Sequence, residues 1–239
     1  MSTIPGRGTK NELEGRLYMS KKSSKDLGLI EGLHSTPARR YLSSAQIKDE
    51  VLMDILDAAI RGPSGGNNQG WGWIILKDQK KKQLISDWYR EGWQRAYGVR
   101  REGILNETDK SDTLGPRNYL SAEHLANNIQ NAPVWIIAVL RNTASSGNPR
   151  AGASIYGAVQ HLMLAARAHG IGATLTTLYS SHEEDVKKLL GIPKDAMTMA
   201  LIPLGYPEKG RWAQPKRKPV SDIAFRDHWG QSIEYSKIR

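Results

Sequence analysis

The stretch of sequence best suited to ligand chemistry is residues 63–71, which read Pro-Ser-Gly-Gly-Asn-Asn-Gln-Gly-Trp. Its paired glycines allow positive φ angles and let the backbone approach a bound group closely. The three amide side chains that follow offer hydrogen-bond donors and acceptors together. These properties suit a flat ligand with polar edges. They also suit an ordinary turn between a helix and a strand, so the stretch alone leaves both interpretations open.

The sequence contains no group of residues that would carry out catalysis unaided. It has no cysteine, which excludes disulfides, thiolate metal sites and thiol nucleophiles. It also lacks the Gly-x-Ser-x-Gly motif of hydrolases, a Gly-x-Gly-x-x-Gly dinucleotide motif and a Walker loop. His161 and His169 have no carboxylate at ligand spacing, so we expect no metal site. Such a chain is typical of an enzyme that takes its reactive group from a cofactor.

The formal net charge is +10, from 34 Lys and Arg against 24 Asp and Glu. This balance favours anionic partners such as nucleotides, phosphates or nucleic acid. The basic run in residues 77–82 is typical of a solvated helix start. Lys216, Arg217 and Lys218, between two prolines, form a second basic run that solvation explains less well. No basic stripe with interleaved aromatic residues occurs, so we expect no nucleic-acid partner.

Length and hydropathy predict one domain without membrane segments. No apolar run approaches the ~20 residues that span a bilayer, and the first residues lack the apolar core of a signal peptide. We therefore expect a cytoplasmic protein. Residues 1–32 show little periodicity and predict an extended N-terminal arm, whereas residues 33–239 contain no low-complexity linker and predict a single domain.

Alternating helices and strands are expected to position the polar stretch. The apolar spacing between Ile47 and Ile60 predicts an amphipathic helix that Ser44 caps and Gly62 ends. Strands are predicted at residues 71–76, 133–140, 172–178 and 196–204. Further helices are predicted at residues 119–128, 151–169 and 182–190. The helix at 151–169 is apolar on several faces, which favours a central position such as a subunit interface.

Aromatic residues follow the first strand at helical spacing. Trp88, Tyr89, Trp93 and Tyr97 lie one, four and four residues apart, which is typical of core packing, although some could line the rim of a pocket. Residues 103–118 are rich in Asn, Asp, Ser, Gly and Pro. We interpret them as a loop of the kind that closes over a site.

Four segments, in order along the chain, resemble the FMN-dependent nitroreductase superfamily. They are Ser-Thr-Pro-Ala-Arg-Arg-Tyr at 35–41, the stretch 63–71, the pair Leu-Leu-Gly-Ile-Pro at 189–193 and Leu-Ile-Pro-Leu-Gly-Tyr-Pro at 201–207, and Arg-Lys-Pro at 217–219. The resemblance covers residues 33–230. Each segment is short, but four in the right order are specific to the superfamily, though not to one substrate.

The resemblance implies an α+β protein with a three-layer fold, in which helices flank a central mixed β-sheet. It also implies an intertwined homodimer with two FMN sites at the subunit interface. Matched by position, the cofactor-binding residues would be Ser35, Ala38, Arg39, Arg40, Pro63, Ser64, Gly65, Asn67, Gln69, Thr176, Thr177, Lys216, Arg217 and Lys218.

Individual roles are implied in the same way. Arg40 would face flavin N1 and O2, and the Asn67 amide would meet the pyrimidine edge. Thr176 and Thr177 would lie at the strand end whose backbone N–H reaches N5 or O4, and residues 216–218 would bind the phosphate. Trp88, Trp93 and Tyr97, with the 103–118 loop, would form the wall of the acceptor pocket.

The sequence departs from the superfamily pattern at two positions. Many relatives have a basic residue early in the first segment, where this chain has Pro37, so Arg39 and Arg40 would supply the charge there. Gly70 replaces a proline that is usual in the second segment. The first difference leaves the phosphate contacts of that segment open.

These features together predict an FMN-dependent oxidoreductase. Hydride would pass from NAD(P)H through flavin N5 to an electron-poor acceptor, such as a nitroaromatic or a quinone, by a ping-pong mechanism. Two alternatives remain open. The same fold could perform ene reduction, dehalogenation or dehydrogenation, or the protein could bind flavin or nucleic acid without catalysis.

Overall fold

The computed structural model describes residues 27–107, 115–142 and 150–233. Its four strands are β1 (Trp71–Leu76), β2 (Val134–Leu140), β3 (Gly172–Ala173) and β4 (Met197–Gly205). They form one sheet in the order β1-β2-β4-β3. Its α-helices are α1 (Leu29–Ser35), α2 (Asp49–Ala59), α3 (Gln79–Ala96), α4 (Arg101–Leu105), α5 (Gly115–Asn128), α6 (Tyr156–Ala168) and α7 (Glu183–Leu190).

Strand β2 forms the middle of three layers, because all seven of its residues are buried. Successive side chains of a strand point to opposite faces of the sheet. Trp135, Ile137 and Val139 pack with residues of α3 and α5 on one face, while Val134, Ile136 and the other even-numbered residues pack with α2 and α6 on the opposite face. The predicted α+β class and the three-layer arrangement with flanking helices are therefore confirmed.

All strand pairings among the described residues are antiparallel, rather than mixed as the resemblance implied. Strand β3 is also shorter than the predicted 172–178. The chain leaves β4 after Ala173, and Leu175 is 39% exposed. It returns only at Thr176, which exchanges two backbone hydrogen bonds with Leu201, of 3.0 and 2.9 Å.

Helix α6 corresponds to the helix predicted at 151–169, but within one chain its buried residues Ala158, Val159, Leu162 and Ala166 form one stripe rather than several faces. It packs against α2 and β3, and the loop after α2 approaches it very closely. A Cβ atom on Gly62 would lie 2.7 Å from both Cα and N of Ala158. Glycine therefore allows the segment that starts at Pro63 to lie against the first turns of α6.

Several predicted boundaries are wrong for identifiable reasons. Ser44 does not cap α2, which begins at Asp49 with Lys48 as its N-cap residue, because the preceding segment is extended and buries Ile47 at 2% exposure. Helix α7 begins at Glu183 rather than at the predicted residue 182, since residues 180–182 form a 3-10 turn and His182 is the N-cap residue. The predicted end of α7 at Gly191 is confirmed by its φ of +68°.

Helices occupy parts of two segments that the sequence predicts to be irregular. Helix α1 overlaps the end of the predicted arm, whose residues 1–26 lie outside the described residues. Helices α4 and α5 cover the two ends of the predicted loop 103–118, because Ile104 and Tyr119 are buried in the core. Residues 108–114 of that loop lie outside the described part. Within the described part, no helix has the length and apolar character that a membrane span requires.

Candidate functional site

Three polar side chains from distant parts of the sequence meet beside the sheet. Thr176 donates a hydrogen bond from its hydroxyl to the phenol oxygen of Tyr89 on α3, at 3.2 Å. Arg40 is the charged neighbour of Tyr89. Burial of Arg40 lowers its guanidinium pKa, and no side chain or carbonyl in the described ranges accepts a hydrogen bond from it. The half-buried Arg40 guanidinium would therefore stabilise an electron-rich group that binds next to it.

Tyr89 is a site residue that the sequence did not identify. Its spacing with Trp88 and Trp93 indicates only a helix that packs against a core, and the side chain is indeed 3% exposed. Burial raises the pKa of its phenol, so the group is a neutral hydroxyl at physiological pH. Only the folded chain brings this hydroxyl to Thr176, which is 87 residues away.

The rest of the first segment lies along the edge of the sheet. Arg39 donates a backbone hydrogen bond to Ala173 in β3, at 2.9 Å. Ser35 is half-buried and its hydroxyl donates to the Glu31 carbonyl of α1 at 2.7 Å, whereas Ala38 is exposed. The structure thus places this segment beside β3 and the residues that follow it, near Thr176.

The second segment forms an exposed loop at the other end of α6. Gly65 donates its N–H to the Ser154 hydroxyl at 3.2 Å, just before that helix. Ser64 accepts the N–H of Gln69 at 3.1 Å, which closes the loop on itself. Asn67 and Gln69 have φ angles of +53° and +51°. Their amides and the Pro63 ring are exposed, so the loop is folded but directed outward.

The two segments do not meet within one chain. The loop contacts the beginning of α6, at Gly157 and Ala158. The first segment lies beyond the end of α6, where Gly172 approaches the Arg39 side chain. A helix of 13 residues is about 20 Å long. Arg40 and Asn67 are thus separated by roughly the length of α6, although the resemblance places both at the same edge of one flavin ring.

The C-terminal basic run is exposed and follows a residue that contacts the first segment. Lys216, Arg217 and Lys218 are all exposed. Trp212, four residues earlier, lies with its ring 4.9 Å from the Arg39 guanidinium carbon. The structure therefore brings Trp212, four residues before this run, to the end of α6 where Arg39 lies.

The structure places the residues of the predicted acceptor wall in different environments. Trp93 is 2% exposed and packs against Tyr97 and Tyr119 in the core, which leaves it almost no surface for a ligand. Trp88 is half-buried and stacks on His182 with ring centroids 5.5 Å apart. Tyr97 is also half-buried, and Thr177 is exposed.

A cavity of about 440 Å³ is lined by Arg40 and by His124, Leu125 and Asn128 of α5. Its polar lining includes Gln79, His124, Asn128 and Glu208. Burial, with a contribution from Lys209, lowers the pKa of His124, which favours the neutral imidazole that stacks on Tyr41 with ring centroids 4.1 Å apart. The cavity is thus polar, with Arg40 as its cation. In the described part of the chain, no group of three potential ligands could hold a metal ion.

Comparison with known proteins gives a consistent result. A family model described as "Nitroreductase family" matches residues 32–206. Mouse iodotyrosine deiodinase 1 is 26% identical over 201 residues, which cover 81% of this chain and 67% of the relative. A putative NADH dehydrogenase/NAD(P)H nitroreductase from Methanothermobacter thermautotrophicus is 24% identical over 203 residues, which cover 83% of this chain and 87% of the relative.

The fold is also similar to that of solved flavoproteins. A nitroreductase with bound FMN from Desulfitobacterium hafniense superposes with a TM-score of 0.61 at 20% sequence identity. The match covers 83% of this chain and 97% of that structure. At this level of identity the likeness concerns the fold.

Proposed function

Because the chain belongs to the nitroreductase family, we propose that it is an FMN-dependent oxidoreductase that uses NAD(P)H to reduce an electron-poor acceptor by a ping-pong mechanism. The observation that carries this proposal is the Arg40 guanidinium, which lies beside Tyr89 and Thr176 and has no acceptor in the described part of the chain. Bound FMN would supply the hydride-accepting atom and an electron-rich ring edge.

The charge of the described residues supports such a group. Arg40 would stabilise negative charge at the pyrimidine edge, which raises the reduction potential of the ring. Tyr89 holds Thr176 in place and keeps a neutral hydroxyl beside the same edge. The exposed cations of residues 216–218 suit a phosphate dianion. Backbone groups of Thr176 and Thr177 would orient the flavin ring. Ser35 and Ala38 would lie along the bound FMN.

The complete site is proposed to need two chains. Arg40 and Asn67 serve the same ring edge in this proposal, yet they lie at opposite ends of α6. A two-fold axis would bring the loop 63–69 of one protomer to the first segment of its partner. The half-buried Ser64 and the exposed loop residues Gly65, Asn67 and Gln69 would then contact flavin held by the other chain. A homodimer with two equivalent sites follows.

The acceptor is proposed to be a nitroaromatic or a quinone. Trp88 and Tyr97 offer half-buried aromatic surface, and flat acceptors stack on such surfaces. A dehalogenase is the second candidate, because iodotyrosine deiodinase 1 of the mouse is among the relatives. Both candidates use the same flavin chemistry and differ in the acceptor.

The direct test is purification followed by titration with FMN. We expect flavin absorbance in the purified protein, or stoichiometric uptake of added FMN, with one FMN for each chain. NADH and NADPH oxidation would then be measured with a nitroaromatic, a quinone, an enone and 3-iodotyrosine. Turnover with the first two supports the proposal, and deiodination alone supports the second candidate. A protein that takes up no FMN would exclude both.

Replacing Asn67 with glycine is expected to weaken FMN binding by about tenfold, the equivalent of one hydrogen bond. Glycine keeps the φ of +53° without strain, so the folded loop should persist. Asn68→Ala is the matched control, since Asn68 is the neighbouring amide at an ordinary φ of −68° and has no proposed flavin contact. FMN affinity would be measured by fluorescence quenching. Equal losses in both variants would contradict the role of Asn67.

A further inference from the structure

Arg39 uses its guanidinium to hold another part of the chain. Its side chain is buried, with 8% exposure. Nη1 donates to the carbonyl of Arg211 at 3.0 Å, and Nη2 donates to the carbonyl of Gly210 at 2.9 Å and to that of Lys209. Three consecutive carbonyls therefore accept from one side chain that lies 170–172 residues earlier in the sequence.

Trp212 extends this contact. Its indole ring lies 4.9 Å from the guanidinium carbon of Arg39 and 4.2 Å from that of Arg167 on α6. Cations over an indole face are attracted to it, and more strongly where water is excluded. Gly210 has a φ of +74°, and a Cβ atom there would lie 3.2 Å from Nη1 of Arg39. Residues 209–212, which we call the anchor segment, are thus shaped to receive this arginine.

The basic run has few contacts of its own. Arg217 donates to the carbonyl of its neighbour Lys216 at 2.9 Å, a bond that fixes neither residue to the rest of the protein. All three cations of the run are exposed. Lys216 follows Trp212 by four residues, a span of at most about 14 Å. The anchor segment therefore limits where residues 216–218 can reach.

We propose that Arg39 is a positioning residue that fixes the C-terminal basic run beside the first segment, and that it acts on the FMN phosphate through that run rather than by contact. This inference rests on the proposed function. It assigns the two adjacent arginines different tasks. The Arg40 guanidinium remains able to bind the ligand, whereas the guanidinium N–H groups of Arg39 donate to carbonyls of the protein.

A double-mutant cycle separates positioning from contact. The variants are Arg39→Ala, the triple variant Lys216→Ala/Arg217→Ala/Lys218→Ala, and their combination. FMN and riboflavin, which lacks the phosphate, are titrated into each. We expect Arg39→Ala to weaken FMN binding about tenfold and riboflavin binding less than twofold. In the triple-variant background, Arg39→Ala should cause no further loss, because the run that it positions carries no charge.

Limited trypsin digestion tests the anchor without flavin. Trypsin cleaves after Lys209 and Arg211, and the carbonyls of both bonds accept from Arg39. We expect Arg39→Ala to speed cleavage after these residues about tenfold. Arg39→Lys should lie between, because an ammonium cannot bond three carbonyls in a fork. Arg61→Ala, which removes an exposed arginine paired with Asp57, is the control.

The outcomes are distinct. Additive losses of FMN affinity in the cycle would mean that Arg39 contacts the phosphate itself, and would overturn the proposal. Unchanged cleavage after Lys209 and Arg211 would overturn it as well, because the anchor would then not depend on this side chain. If the wild-type protein binds no FMN, the proposed function fails, and the digestion still decides whether Arg39 holds the anchor segment.

Discussion

Replacing Gly92 with alanine is expected to lower the free energy of unfolding by about 3 kcal/mol and to empty the proposed flavin site. Gly92 is buried in α3. An added Cβ would lie 1.8 Å from the carbonyl oxygen of Leu178 and 2.9 Å from its carbonyl carbon. Both are backbone atoms, so no change of rotamer relieves the overlap. The helix and the segment that contains Thr176 and Thr177 must move apart.

The effect on flavin follows from that movement. Tyr89 lies on α3, one turn before Gly92, and its phenol accepts from Thr176. Separation of α3 from Leu178 would break this bond and displace Arg40, whose charged neighbour is Tyr89. A misplacement of about 1 Å at a reacting centre can cost 100-fold in rate. Gly92→Ala should therefore bind FMN poorly even at temperatures where it remains folded.

Thermal unfolding provides the measurement for Gly92→Ala. A loss of about 3 kcal/mol in a chain of this size lowers Tm by about 6–12 °C. Gly32→Ala is the matched control, since Gly32 is also a buried helical glycine but its Cβ would meet only side-chain atoms, of Leu27 at 3.2 Å and of Leu164 at 3.9 Å. That variant should change stability by about 1 kcal/mol or less. A Tm for Gly92→Ala equal to that of the control would contradict the close packing at Leu178.

The main elements of the fold could be predicted because local patterns determine them. The apolar run of β2 has no polar face, and only a strand buried between two layers satisfies it. The stripe from Val51 to Ala59 and the glycine at residue 191 likewise specify a helix and a helix end. Such features depend on residues that are close together in the sequence, so a single sequence is enough to predict them.

The site was harder to predict because its contacts are remote in sequence. Nothing near Arg39 in the sequence indicates that its guanidinium meets carbonyls of residues 209–211. Nothing near Trp93 distinguishes it from Trp88, yet one lies in the core and the other at its edge. Tyr89 was missed for the same reason. The order of the motifs predicts which segments belong to the candidate site. The fold determines which atoms of each segment can contact a ligand.

Mixed dimers of two defective chains are expected to recover flavin binding. The first chain carries Arg40→Ala, and the second carries Asn67→Gly with Gln69→Gly, which keeps the positive φ of both loop positions. Loss of a partly buried cation, or of two amide hydrogen bonds, should weaken FMN binding about 30-fold or more in either homodimer. At an FMN concentration a few times the wild-type Kd, both homodimers should be nearly empty.

The mixed dimer binds FMN differently from either homodimer if each site combines segments from two chains. One of its sites joins the altered first segment to the altered loop and carries every change. The other joins the intact first segment of the second chain to the intact loop of the first, and is identical to wild type. Co-expression with two different tags and sequential affinity purification isolates this species. We expect one FMN bound with wild-type affinity for every two chains.

This experiment gives the opposite result if each site lies within one chain. Every site of the mixed dimer would then carry one set of changes, and binding would remain about 30-fold weak. Recovery of wild-type FMN affinity therefore cannot come from the weak FMN binding that remains in either variant. Since Arg40 and Asn67 lie at opposite ends of α6, whose 13 residues span about 20 Å, one chain alone does not bring them to the same ring edge. Recovery in the mixed dimer would also explain the outward direction of the loop 63–69, because its amides would then complete the site of the partner.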